Sequence, residues 1–206
     1  MSDTSLAREY GYKLPLPPGV TKAQAVEYMR KVDARNLLMT DEATVAYTGE
    51  GISAKKPAVG SVGCRGEARI KLGLPEINSP QGDPVTGAAL KAWEQTRRDR
   101  RSVDIDALWS KCMKLSGYSY SDPHVAAGDK KWAPVAGSGD FPSPSDGEVE
   151  AALADVFCKQ KTNYVEKMQR VESGYQDLLI SEDPDTFLDY RAGWQQSLEK
   201  AEKILR

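Results

Sequence analysis

The chain has 206 residues and a formal net charge of −2 at pH 7, from 28 Lys and Arg against 30 Asp and Glu. That balance argues against a dedicated nucleic-acid binder, which is usually basic overall. The single His, His124, rules out a multi-His metal site, and no apolar run approaches the ~18 residues of a membrane span.

The length suits one large domain or two small ones. The first residues, Met1-Ser2-Asp3-Thr4, are polar and lack a signal-peptide core. The chain is therefore expected to be cytosolic, or a mature ectodomain whose leader has been removed. Residues 1–20 carry Tyr10, Tyr12, Leu14 and Leu16 before Pro17-Pro18-Gly19, which predicts an irregular arm. Thr21 and Gln24 have the spacing of a capping box. They open a helix with Val26, Met29 and Val32 on one face, ending near Leu38. Residues 40–63 mix Gly, Pro, Lys and Ala and predict a long loop, with at most a short strand or turn at Thr44-Val45-Ala46-Tyr47.

A helix is expected from Ser61 to Leu72 through Cys64 and Ala68. Residues 74–82, with Pro75, Pro80 and Gly82, form a linker and the one place where the chain would subdivide. Asp83-Pro84 is a cap followed by Pro at the first helical position. The next helix shows Leu90, Trp93 and Thr96 on one face. After the basic run at 97–101, Val103 to Leu115 predicts another helix, stopped by Gly117. Residues 118–144 are rich in Gly, Pro, Ser and Asp and form the second long loop, with a short helical turn after Asp122-Pro123.

Ser145 and Glu148 mark another capping box. Apolar residues then recur at Val149, Leu153, Val156, Tyr164, Met168, Val171, Tyr175 and Leu178, in steps that place one stripe on one helix face. No Pro interrupts before Pro184, so a single helix of about 50 Å to Ile180 is expected. Asp183-Pro184 restarts a second helix with Phe187, Trp194, Leu198, Ala201 and Leu205 along it. The short connection predicts an antiparallel hairpin. The reading is a single all-α domain over 1–206, with two long loops and a long C-terminal hairpin.

Three cysteines, Cys64, Cys112 and Cys158, form no C-x-x-C pair, which disfavours a thiolate zinc site. One disulfide with a leftover thiol and three reduced thiols are both open, and composition alone favours the reduced form. His124 sits beside a helix cap, where a solvated residue is the ordinary outcome and a catalytic base the exception. No carboxylate pair is marked as an acid/base couple. Gly60, Gly63 and Gly66 match no phosphate-loop pattern and are expected to be a glycine-rich helix entry. Arg97, Arg98, Arg100 and Arg101 are either a solvated helix end or a docking patch for phosphate or pyrophosphate. Tyr118, Tyr120 and Trp132 either cover the helical core or contact a peptide or sugar. No cofactor is called for.

Several blocks carry a resemblance. Val62-Gly63-Cys64 with Gly66-Glu67-Ala68, Trp109 with Cys112-Met113 and Gly117-Tyr118, and Ala154-Asp155-Val156 with Cys158-Lys159 and Thr162-Asn163 resemble a family of actinobacterial secreted lipoproteins of the cell envelope. Tyr10-Gly11-Tyr12 fits the same pattern. The resemblance implies an extracytoplasmic protein held to the membrane only by a lipidated N-terminal Cys, which is absent from this chain. It implies an oxidising compartment, in which Cys112 and Cys158 are the natural pair and Cys64 is left over. A bridge spanning the 45 residues between them contributes about 3–4 kcal/mol by chain entropy. The function implied is non-catalytic binding by a monomer. Its sharpest form is self-protection, by binding an antimicrobial peptide such as a lantibiotic or by shielding its cell-wall precursor. The rival reading is an envelope adaptor that docks another protein through the helical hairpin.

Overall fold

The computed structural model describes residues 3–49, 63–74, 83–133 and 143–206. Among these residues the protein is all-α. Residues 50–62 and 134–142 of the two expected loops, and 75–82 of the expected linker, lie outside them, as do Ser61, Val62 and Gly60. The chain divides into two compact units, each discontinuous in sequence. One joins residues 1–29 to 91–177, the other 30–90 to 178–206.

The first unit begins with α1 (Thr4–Tyr10), where an irregular arm was expected. Asp3 accepts from the Ser5 and Leu6 amides and so starts the helix locally. The helix is too short to show a period; it is held by packing on α8 (Asp146–Thr162) through the fully buried Ala7. The three prolines after it keep residues 14–20 out of helix. The capping box at Thr21 forms in both directions. The Thr21 amide donates to Gln24 Oε1 at 2.8 Å, and the Gln24 amide to Thr21 Oγ1 at 3.2 Å. It opens α2 (Lys22–Leu38), whose expected inner face stays partly open, with Val26 and Met29 both exposed.

Asp83 caps α5 (Pro84–Arg98) as expected, accepting from the Val85 and Thr86 amides. Asp99 then caps α6 (Arg100–Leu115), which therefore starts three residues before the predicted Val103. Gly117, at φ 88°, ends α6. The Gly117 and Tyr118 amides return to the Lys114 and Met113 carbonyls, a Schellman closure. The predicted short turn is α7 (Pro123–Ala127), capped by Asp122, and a 3-10 turn follows at Lys130–Trp132.

The expected long helix is two. α8 ends at Thr162, Asn163 adopts the left-handed conformation at φ 53°, and α9 (Tyr164–Glu182) starts at once. Asn tolerates that conformation better than other non-Gly residues. The Asn163 amide group donates to Glu166 and the Lys167 ammonium to the Thr162 carbonyl, so the break is satisfied on both sides. The core of this unit gathers Ile105, Trp109, Cys112, Met113, Tyr120, Ala126, Cys158, Tyr164 and Val171.

In the second unit, α3 (Asp41–Thr48) replaces the strand or turn expected at Thr44–Tyr47. Its Thr40 cap and acidic first turn outweigh the β-branched Thr44 and Val45. α3 packs on α4 (Gly63–Leu72). Gly63 is required there, because a Cβ would lie 2.4 Å from the Gly49 nitrogen. α4 also packs on α10 (Pro184–Leu205), where Ser197 Oγ donates to the Gly73 carbonyl at 3.2 Å. Ser197 is buried, whereas Leu198 and Leu205 of the predicted apolar stripe are exposed at 61% and 86%.

Candidate functional site

α6 crosses α8 at the Cys112–Cys158 disulfide, with 5.6 Å between the Cα atoms. The staple expected from the resemblance is therefore present, and Cys64 is a free, exposed thiol. One turn before each bridged Cys stands a partner in a buried polar pair. Trp109 Nε1 donates to Asp155 Oδ1 at 2.9 Å, and Lys159 Nζ meets Asp155 Oδ2 at 2.7 Å. Trp109 is fully buried, Asp155 1% exposed and Lys159 9% exposed. Burial pushes the Asp155 carboxyl up, against the pull of the Lys159 charge and the Trp109 hydrogen bond. Nearby, the Tyr164 hydroxyl donates to Asp106 Oδ1 at 2.6 Å. Burial, then the Asp106 carboxylate, raises the Tyr164 hydroxyl. Burial also raises Asp106, with the Tyr164 bond opposing. These polar groups satisfy one another at the edge of the core.

The N-terminal arm is clamped beside this crossing. Glu148 caps only half a capping box: its amide donates to Ser145 Oγ at 3.2 Å. Its carboxylate turns instead to the arm, accepting from the Tyr12 amide at 3.0 Å and from the Lys13 ammonium. Gly11 is needed for this approach, since a Cβ there would sit 2.7 Å from Glu148 Oε1. Tyr12 then spans to α8, its hydroxyl donating to the Ala151 carbonyl.

Tyr118, Tyr120 and Trp132 belong to the same body. Tyr120 is 9% exposed, and its hydroxyl donates to Asp129 at 2.8 Å. Trp132 Nε1 donates to the Ala126 carbonyl, and its ring lies 6.1 Å from Tyr12. Tyr118 packs against the core cluster. Lys131 stands over both rings, 4.3 Å from Trp132 and 5.1 Å from Tyr120, a cation-π arrangement. The three aromatics thus cover the core, with the polar ends of Tyr120 and Trp132 engaged.

The four arginines are split between two helix ends. Arg97 and Arg98 close α5, and Arg100 and Arg101 open α6 around Asp99. Arg101 pairs with Asp99 at 2.7 Å, and Arg97 lies 5.1 Å over Trp93. Arg98 and Arg100 are exposed. His124 is exposed in the first turn of α7, its amide donating to Asp122. Among the described residues, no group of three or more His, Cys, Asp or Glu is arranged to hold a metal ion. No helix among them is long and apolar enough to cross a membrane.

A different feature has the form of a binding site. Leu14, Pro15, Leu16, Pro17, Gly19 and Val20 face Gln24, Ala25, Tyr28 and Met29 across an open groove of about 570 Å³. No side chain lining it is charged. Leu14 is 91% exposed and Tyr28 66%. The sequence signal for it is the proline-rich run before the α2 cap, because prolines hold a backbone extended and leave it unpaired. Comparison of the chain with models of protein families, with curated proteins and with solved structures finds no match.

Proposed function

We propose that this chain is a non-catalytic binding module of the extracytoplasmic face, tethered by lipid in its native setting, that captures an antimicrobial peptide of the lantibiotic kind. The observation that carries the reading is the groove between residues 14–20 and α2. An extended, proline-pinned wall and an adaptable Met29 with a broad Tyr28 suit an apolar peptide segment. Its uncharged lining favours the peptide over the pyrophosphate of a wall precursor. The Cys112–Cys158 bridge supports the compartment, because such staples persist where the surroundings are oxidising.

The test is calorimetric titration of the protein with a panel of lantibiotics. One member binds at micromolar Kd or tighter, and Tyr28→Asp or Met29→Asp weakens it at least about ten-fold. Tyr28 is 66% exposed, so its variant is expected to keep a melting temperature close to that of the wild type. Binding by no member, or equal binding by both variants, overturns the reading.

A further inference from the structure

The exposed face of α10 carries a pattern that a structural role inside the second unit does not use. Leu188, Leu198 and Leu205 share this face with Arg191, Gln195 and Glu202, the six positions being spaced by three and four residues. All six residues are exposed, with Leu188 at 60%, Leu198 at 61% and Leu205 at 86%. The buried contacts of α10 lie on another side, through Ser197 against Gly73.

We infer that this face pairs with the same face of a second copy of the chain, antiparallel, to form a two-fold dimer. Turned on itself, this face can set leucine on leucine at its ends and arginine on glutamate between them. In the antiparallel register, Leu188 meets Leu205 of the second copy, Arg191 meets its Glu202, and Gln195 meets its Leu198. The two-fold axis repeats each contact, as an isologous interface requires. Asp185 and Arg206 fall opposite each other at the rim, where Arg206 also lies 3.8 Å from Glu202 of its own chain, an exposed pair that costs little to exchange. The parallel register sets Arg191 against Arg191 and Glu202 against Glu202, and aligns the helix dipoles unfavourably. The dimer replaces the monomer expected from sequence and does not depend on what the groove binds.

The test uses the full chain. Light scattering over a concentration series gives a mass that rises to twice 22.6 kDa. Arg191→Glu sets like charges across both pairs and weakens the dimer at least about ten-fold. Arg191→Glu with Glu202→Arg restores it, because each pair is then opposite again. In a Cys64→Ser background, Leu188→Cys with Leu205→Cys cross-links two copies under oxidation. Leu205→Cys alone does not, since its own copies lie about 25 Å apart along the antiparallel axis. A monomer at every concentration overturns the inference, as does cross-linking through Leu205→Cys alone. The cross-linking arms decide the matter if the Arg191→Glu protein fails to fold.

Discussion

Trp109 donates its indole N–H to Asp155 at 2.9 Å, and each residue stands one turn ahead of a half of the Cys112–Cys158 disulfide. Residues three apart share a helix face. The same crossing that brings the sulfurs together therefore also joins the indole and the carboxylate. The hydrogen bond fixes the rotation of α6 against α8, while the disulfide fixes their separation. With Lys159 on the far oxygen of Asp155, the pair places charge at the centre of the first unit.

That charge is stable only as a pair. Lys159→Met leaves the Asp155 carboxylate buried at 1% exposure without its ammonium, at a cost of about 3–5 kcal/mol. Adding Asp155→Asn recovers most of the loss, because the Asn oxygen still accepts from Trp109 and carries no charge. Urea denaturation of the two variants and the wild type measures this directly. A double variant no more stable than Lys159→Met would show that the carboxylate charge is not the source of the cost.

The arm depends on Gly11. Its φ of 59° opposes a side chain there, and so does Glu148, whose Oε1 would lie 2.7 Å from an added Cβ. Gly11→Ala is expected to destabilise the protein by about 1–3 kcal/mol and to speed chymotryptic cleavage at Tyr10 and Tyr12. Gly19→Ala is the control. Gly19 also has a positive φ, but nothing lies within 4 Å of an added Cβ. Equal effects from the two changes would remove the Glu148 contact from the account.

Asp99 links the α6 cap to α9. It accepts from the Arg101 side chain, from the Tyr175 hydroxyl at 2.8 Å and from the Arg101 amide. The Arg101 hydrogen bond, then that of Tyr175, holds its carboxyl below the usual range. A depressed carboxyl stabilises the fold at pH values above its unfolded value of about 3.9, and that stability is lost as pH falls through the lower folded value. Asp99→Asn is therefore expected to lower the melting temperature most near neutrality, with the gap to wild type closing below pH ~4. Melting curves over that range check the sign, and a gap that widens on acidification contradicts it.

Much of the helical layout is legible in the sequence because caps are local chemistry. Asp83-Pro84, Asp122-Pro123 and Asp183-Pro184 each combine a side-chain acceptor with a residue that lacks an amide, and each starts a helix. The break at Asn163 is not legible, since it falls within an unbroken apolar period and rests on one residue's tolerance of positive φ. The α1 helix is hidden for the opposite reason: seven residues carry no period, and packing of Ala7 on α8 holds them. Glu148 shows how tertiary structure redirects a local signal. Its spacing marks a capping box, yet its carboxylate serves Tyr12 and Lys13, more than 130 residues away in sequence. The proline run announces the irregular wall of the groove, but its apolar residues follow neither period, so the sequence does not say that they face α2. The exposed leucines of α10 are visible as apolar positions, but periodicity alone does not tell a buried stripe from one turned to solvent.

The stapled crossing holds the first unit together and is the premise of the proposed extracytoplasmic setting, and intact mass after thiol alkylation tests it most directly. On protein made under oxidising conditions, one thiol is alkylated before reduction and three after, with peptide mapping giving Cys112 joined to Cys158 and Cys64 free. Three thiols alkylated from the start, or a bridge that includes Cys64, would contradict the account.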